Sequence, residues 1–253
     1  MNKKEQTVFI TGAGRGIGMA MAQKFAAQGY DLILNYRKDQ GKSAAGLQQF
    51  LASPEASRVS VRLAKADISE PREIAEMMKK LKQDGVERID HLVLNAASAP
   101  FKPFSEMTRN DWKTLLNGNL IGNNCCINEM VPMMPAGSSI CIISSMGSRR
   151  VLPEYPLGII KSALESMVSY LEVELHARDI RVNGLCAGMV NTDMAPYLQK
   201  LWPDLYQRYE NSPRRWLMEP EEVAEIAAFL LSPRSRALRG TTLVADLGIS
   251  LTA

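Results

Sequence analysis

Val8-Phe9-Ile10-Thr11-Gly12-Ala13-Gly14-Arg15-Gly16-Ile17-Gly18 is the stretch on which the fold turns. An apolar run suited to a buried strand ends in a glycine-rich turn, and a helix-period segment, Met19 to Gln28, follows at once. Glycines here let the backbone turn tightly and approach a pyrophosphate, whose charge the following helix N-terminus attracts. Lying between strand and helix, Gly12, Gly14, Arg15, Gly16, Ile17 and Gly18 read as a phosphate-binding loop rather than a bare turn.

The same alternation continues outward from this loop. Strands are predicted over 7–11, 31–36, 58–64, 89–95, 138–144, 180–185 and 241–245, with helices near 16–28, 40–52, 71–84, 108–133, 156–177 and 220–231. Seven short apolar strands separated by helices predict an α/β fold: a doubly wound parallel sheet (Rossmann fold) with helices on both faces. With 253 residues and no internal repeat or domain-sized linker, the chain reads as one domain, 1–253. The stretch 189–218 breaks the rhythm, setting Pro196, Pro203 and Pro213 among Tyr197, Trp202, Tyr206, Tyr209 and Trp216. It predicts short helices forming a substrate lid over an apolar pocket beyond the carboxyl ends of the strands.

Composition narrows the functional classes. Hydrophobic residues at 46% and charged residues at 23% are those of an ordinary globular protein, which excludes disordered and collagen-like chains. A net charge of +3, with no Lys/Arg stripe, gives no case for a nucleic-acid partner. No apolar run reaches the ~18 residues of a membrane span. The start, Met1-Asn2-Lys3-Lys4-Glu5-Gln6, runs into a strand rather than a signal-peptide core, so a cytoplasmic protein is expected. Cys125, Cys126, Cys141 and Cys186 lack metal-ligand spacing and read as free thiols of a reducing compartment. His91 and His176 are the only histidines, so neither a metal site nor Ser-His-Asp catalysis is expected; His91 reads as structural.

The end of the second strand bears on the nucleotide. An NAD site usually carries Asp or Glu there to bond the ribose 2′-hydroxyl. Leu34-Asn35-Tyr36-Arg37-Lys38 has none, and Arg37, with Arg15 able to join it, suits a 2′-phosphate. NADP(H) is therefore expected rather than NAD(H).

With these residues in view, nearly the whole chain resembles the short-chain dehydrogenase/reductase superfamily. Thr11 to Gly18 matches its TGxxxGxG, and Lys65-Ala66-Asp67-Ile68 matches the segment whose aspartate contacts adenine. Asn95-Ala96-Ala97-Ser98 resembles NNAG, and Asn119 falls at the helix-four asparagine. Ile143-Ser144-Ser145 ends the fifth strand as the serine segment does, and Lys161-Ser162-Ala163-Leu164-Glu165 matches the lysine and the helix after it. Arg181 through Gly188, Val190 and Thr192 resembles RVNxxxPGxxxT, with Ala187 in place of proline. The resemblance implies nucleotide contacts by Asp67, Ile68, Asn95, Ala96, Lys161, Gly188, Val190 and Thr192, and catalytic roles for Ser145, Asn119 and Lys161.

One departure redirects the chemistry. The superfamily tyrosine lies four residues before the lysine, where this chain has Leu157. The nearest phenol is Tyr155, placed in the loop before the helix by Pro156, which suits a first helical turn. A tyrosine further upstream resembles the NADPH-dependent type III enoyl-acyl-carrier-protein reductases, although they have six residues between tyrosine and lysine and this chain has five. That resemblance implies reduction of an enoyl thioester carried by coenzyme A or acyl carrier protein. Tyr155 would donate to the thioester oxygen, and Lys161 would bind the nicotinamide ribose and lower the Tyr155 pKa by its charge. Ser145 would add a second hydrogen bond. A keto (carbonyl) reductase and a dinucleotide-binding protein with little catalysis remain alternatives. Family resemblance also implies a homotetramer or homodimer built on the helices near 108–133 and 156–177.

Overall fold

The computed structural model describes residues 6–251. Residues 1–5, on which the reading of the amino terminus largely rests, lie outside them. Strands β1 (Thr7–Ile10), β2 (Asp31–Tyr36), β3 (Val61–Lys65), β4 (His91–Leu94), β5 (Ser139–Ser145) and β6 (Arg181–Ala187) follow in chain order. After them, β7 (Met189–Val190) and β8 (Leu217–Met218) form a separate two-stranded ribbon, and β9 (Thr242–Ala245) returns to the main sheet. That sheet has seven strands in the order β3-β2-β1-β4-β5-β6-β9, every pair parallel. The predicted Rossmann architecture is thus the observed one. Strand order reverses between β1 and β4, and ligands of doubly wound sheets bind in the crevice at such a switch point.

The period-2 pattern of β1 divides the core. Val8 and Ile10 pack with residues of α1 (Gly16–Ala27) and α9 (Pro220–Leu231). Phe9 faces the other way, among α3 (Pro71–Gln83), α4 (Arg109–Leu116), α5 (Gly122–Met130) and α6 (Leu157–Leu175). All three side chains are fully buried, worth ~1.5–3 kcal/mol each. α2 (Lys42–Leu51) follows β2 and opens beside the glycine loop. No helix among the described residues is long and apolar enough to cross a membrane.

Two elements differ from expectation. The strand predicted at 58–64 is shifted: a 3-10 turn takes Ala56–Arg58, and β3 begins where Val61 finds its partner Leu32. The helix predicted across 108–133 is interrupted by a π-helical turn, Asn117–Ile121. Two contacts remote in sequence cause it. The Asn119 amide donates to the Leu115 and Ser98 carbonyls, each at 2.7 Å, and Gly122 presses against Ile68. A Cβ on Gly122 would lie 2.1 Å from the Ile68 carbonyl oxygen. Gly122→Ala is therefore expected to destabilise the fold by about 1–3 kcal/mol, read as a lower Tm. An unchanged Tm would mean that the turn is not braced in this way.

The 189–218 stretch forms α7 (Ala195–Leu201) and α8 (Pro203–Glu210), each with a proline in its first turn, framed by β7 and β8. Trp202, Tyr206 and Tyr209 are buried against Met146, Met189 and Ile249. Their polar ends are satisfied where it matters: Trp202 Nε1 donates to the Pro153 carbonyl at 2.8 Å, and the Tyr206 hydroxyl to the Ala195 carbonyl at 3.2 Å. His91 is buried at the amino-terminal end of β4, with Nδ1 2.8 Å from Ser139 Oγ and its ring edge-on to Tyr30. Burial holds its pKa down to about 4, so it is neutral and far from the glycine loop. All four cysteines are free thiols.

Candidate active site

The crevice holds two adjoining cavities. The first, about 380 Å³, lies beyond β1, β2 and β4 and is lined by Gly12, Gly14, Arg15, Gly16, Ile17 and Gly18. Arg37, Asp67, Ile68, Asn95, Ala96 and Thr192 close its walls, so most of the residues expected at the nucleotide meet here. Local hydrogen bonds set this geometry. Thr11 Oγ1 accepts from the Asn95 and Ala96 amides at 2.9 and 3.0 Å, tying the loop after β4 to the loop after β1. Gly18 lets α1 fold back tightly, since a Cβ there would meet the Gly12 carbonyl oxygen at 2.3 Å.

The residues present fit an anionic dinucleotide. α1 has no acidic side chain in its first turn, so its N-terminal field is uncompensated. Around the mouth stand three cations with only loose partners. Arg37 Nη1 lies 3.7 Å from Asp67, Lys42 Nζ 3.4 Å from Asp193 and Arg15 Nη1 3.9 Å from Asp193.

Three contributors went unread in the sequence. Asn35 is buried, accepts from the Gly12 amide at 3.3 Å and donates to the Ala64 and Ala66 carbonyls at 3.1 Å each. A lone amide in the apolar run of β2 was the available signal. Ser43 and Lys42 come from α2; only tertiary packing brings Ser43 to the cavity wall and Lys42 to Asp193 on its edge.

The second cavity, about 390 Å³, shares Arg15, Ile17, Asn95 and Thr192 with the first. It brings together Ser145, Tyr155, Lys161, Gly188 and Val190 beneath an apolar roof of Phe101, Leu152, Met194, Leu198 and Trp202. Tyr155 stands in the loop ahead of α6, and its hydroxyl lies 3.2 Å from Ser145 Oγ. Leu157 turns an apolar side chain into the same cavity. Three neighbours fix the phenol ring. Phe101 and Trp202 hold it at centroid distances of 5.6 and 5.7 Å, and Gly147 packs against its Cδ1–Cε1 side. A Cβ on Gly147 would fall 2.4 Å from Tyr155 Cε1. The preceding residue, Glu154, takes a left-handed φ of 57°, a strained conformation of a kind that clusters at functional sites.

Lys161 is buried, and its ammonium donates to the Ile143 carbonyl at 2.7 Å. Burial lowers its pKa to about 8, against the raising influence of Cys186 and Glu165. Tyr155 corrects an expectation: its pKa is raised, not lowered. Burial is the main cause, the Ser145 hydrogen bond opposes it, and the charge of Lys161 is not among the causes. The phenol is therefore held in its protonated, hydrogen-bond-donating form.

Beneath Ser145, Glu165 accepts from Ser144 Oγ at 2.7 Å and from Ser148 Oγ, and pairs with Arg149 at 2.9 Å. Both flanks of Ser145 are thereby anchored to α6. Asn119, expected among the catalytic residues, lines neither cavity and is fully buried. Besides its two donated bonds it accepts from the Ser98 amide at 3.0 Å. It stands behind Ser98, which lines both cavities, and its reach is to that backbone.

Comparison with known proteins agrees with this geometry. The sequence model of the family described as Enoyl-(Acyl carrier protein) reductase matches residues 12–250. The 1-cyclohexenylcarbonyl-CoA reductase of Streptomyces collinus is 30% identical, covering 99% of this chain and 89% of its own. The 3-oxoacyl-(acyl-carrier-protein) reductase FabG of Staphylococcus epidermidis is 28% identical over 98% of this chain and 99% of that protein. Among solved structures, a blue fluorescent protein from a metagenomic library, in complex with NADPH, aligns with a TM-score of 0.87 at 28% identity, covering 99% of this chain and 100% of that one. Switch-point crevice, glycine loop, buried lysine and these matches lead to one conclusion: the chain belongs to the short-chain dehydrogenase/reductase family of oxidoreductases.

Proposed function

We propose that the protein is an NADPH-dependent reductase of the carbon–carbon double bond of an enoyl thioester, carried by coenzyme A or acyl carrier protein. The observation that carries this reading is the phenol of Tyr155, presented from the loop before α6 beside Ser145, while Leu157 fills the helical position with an apolar side chain. The similarity to the Streptomyces reductase, whose name states an enoyl-CoA type of substrate, supports it.

The coenzyme, when bound, supplies the hydride; the chain's own residues do the rest. Arg15 and Arg37 take the ribose phosphate, and the α1 N-terminus takes the pyrophosphate. Lys161, Gly188, Val190 and Thr192 hold the nicotinamide end. The acyl group lies under the 189–218 lid against Met194, Leu198 and Trp202, which exclude water. As hydride reaches Cβ, negative charge moves onto the thioester oxygen. The protonated Tyr155 hydroxyl would donate to it, with Ser145 as second donor, and the enolate would then take the balancing proton at Cα from solvent to give the saturated thioester. Asn119 positions the Ser98 segment of the wall. Tyr170 and Val173, 77% and 81% exposed on α6, are apolar side chains that a second copy would cover in a dimer or tetramer.

A second reading, reduction of a 3-oxoacyl thioester, is favoured by the similarity to the Staphylococcus reductase and would use the same phenol. NADPH consumption with crotonyl and acetoacetyl thioesters side by side separates the two. Faster turnover of the crotonyl ester supports the first reading, and faster turnover of the acetoacetyl ester supports the second. Turnover of neither, with NADPH still bound, would leave a dinucleotide-binding protein.

Coenzyme choice has its own test. Arg37→Asp removes a charge-assisted phosphate contact and should weaken NADPH by about ten- to a hundredfold, leaving NADH little changed. Equal affinity of the unmutated protein for the two nucleotides would contradict the assignment.

A further inference from the structure

Asp193 lies on the edge of the dinucleotide cavity, between β7 and α7, and carries the wrong charge for an anionic coenzyme. Its Oδ2 sits 3.4 Å from Lys42 Nζ and 3.9 Å from Arg15 Nη1. The three side chains come from separate parts of the fold: Arg15 caps α1, Lys42 opens α2, and Asp193 begins the 189–218 stretch. The backbone that carries this half-exposed carboxylate is fixed by its neighbours. These close a turn in which the Met194 amide donates to Thr192 Oγ1 at 3.3 Å and the Ala195 amide to the Thr192 carbonyl at 2.9 Å.

We infer that Asp193 is a place-holder anion. It keeps Arg15 and Lys42 gathered over the cavity and is exchanged for a phosphate of the coenzyme, with Lys42 as a further coenzyme-binding cation. The inference rests on the nucleotide assignment made above for this cavity. A carboxylate and a phosphate drawn to the same two cations repel one another, so one must yield for the other to pair fully. A phosphate, with more charge and more acceptor oxygens, forms the stronger charge-assisted bonds. The exchange therefore favours binding, but part of the cations' attraction goes to displacing Asp193. The residue thus sets coenzyme affinity below what Arg15 and Lys42 alone would give.

The isosteric Asp193→Asn removes the competing charge and leaves the turn intact. Fluorescence titration of the coenzyme-free protein with NADPH and with NADH reads the effect directly. Relief of this competition at two exposed ion pairs should lower the Kd about three- to tenfold (about 0.7–1.4 kcal/mol), and the gain should shrink in high salt. Tightening of NADPH alone identifies the displacing group as the ribose phosphate; equal tightening of both identifies the pyrophosphate. Lys42→Gln should weaken binding, and in the double variant the Asp193→Asn gain should be smaller. A Kd for both nucleotides that stays within about twofold, or rises, on Asp193→Asn would overturn the inference. That outcome differs from failure of the NADPH assignment, which would show as equal affinity for the two nucleotides before any substitution.

Discussion

Tyr155→Phe should lower kcat for the enoyl thioester about a hundredfold or more while leaving the NADPH Kd within about twofold. In the proposed reaction the hydroxyl would donate to the reacting oxygen, and loss of one oxyanion donor typically costs ~2.7–4 kcal/mol of transition-state stabilisation. Coenzyme affinity should hold because Lys161 and the glycine loop are untouched. The pH profile carries a further signature. Burial raises the Tyr155 pKa above its usual 10.0, so the donor form persists through neutral and mildly alkaline solution. Lys161 moves the other way: with its pKa lowered to about 8, its charge is lost as pH rises through that value. Coenzyme binding should therefore weaken above about pH 8 before the phenol titrates. Steady-state kinetics with NADPH titrations across that range check both. Full activity in Tyr155→Phe would make the phenol a bystander.

The second large effect is expected from a residue with no functional group. Gly147→Ala would place a methyl carbon 2.4 Å from Tyr155 Cε1, a contact that cannot persist. The ring is confined by Phe101 and Trp202, so relief must come by rotating the phenol away from Ser145. Misplacing a catalytic group by about 1 Å can cost a hundredfold in rate, so kcat should fall by a comparable factor. Overpacking against a confined ring also costs about 1–3 kcal/mol, so Tm should fall modestly, while NADPH binding persists because Gly147 lies outside the coenzyme cavity. An unchanged kcat would show that the observed ring position is not the working one.

How much of this was legible in the sequence follows from how local each feature is. The glycine loop, the seven strands and the place of Tyr155 ahead of α6 rest on neighbouring residues: a strand–turn–helix pattern and a proline at a helix start. The π turn at Asn119 rests on Ser98 and Ile68, and no periodicity within 108–133 contains them. The family motif marks Asn119 as catalytic, but its direction, away from the cavities and into the wall, is set by packing that the motif does not contain. The Tyr155 pKa misled for a related reason. A lysine nearby in sequence suggests a charge acting on the phenol. In the fold, burial sets the direction, the lysine's charge is not among the causes, and the ammonium donates to the Ile143 carbonyl. Lys42 and Asp193 are ordinary surface residues until α2 and the segment after β7 meet over the loop.

Whether Tyr155 assists enoyl reduction is read from the fate of the transferred hydride. NADPH deuterated at the nicotinamide C4 position that donates the hydride should be incubated with a crotonyl thioester and the product read by mass spectrometry and NMR. The expected product is a butyryl thioester with one deuterium at Cβ, formed by the unmutated protein and about a hundredfold more slowly by Tyr155→Phe. No deuterated butyryl product, together with deuterium on the hydroxyl-bearing carbon of a 3-hydroxybutyryl product from the acetoacetyl thioester, would contradict it.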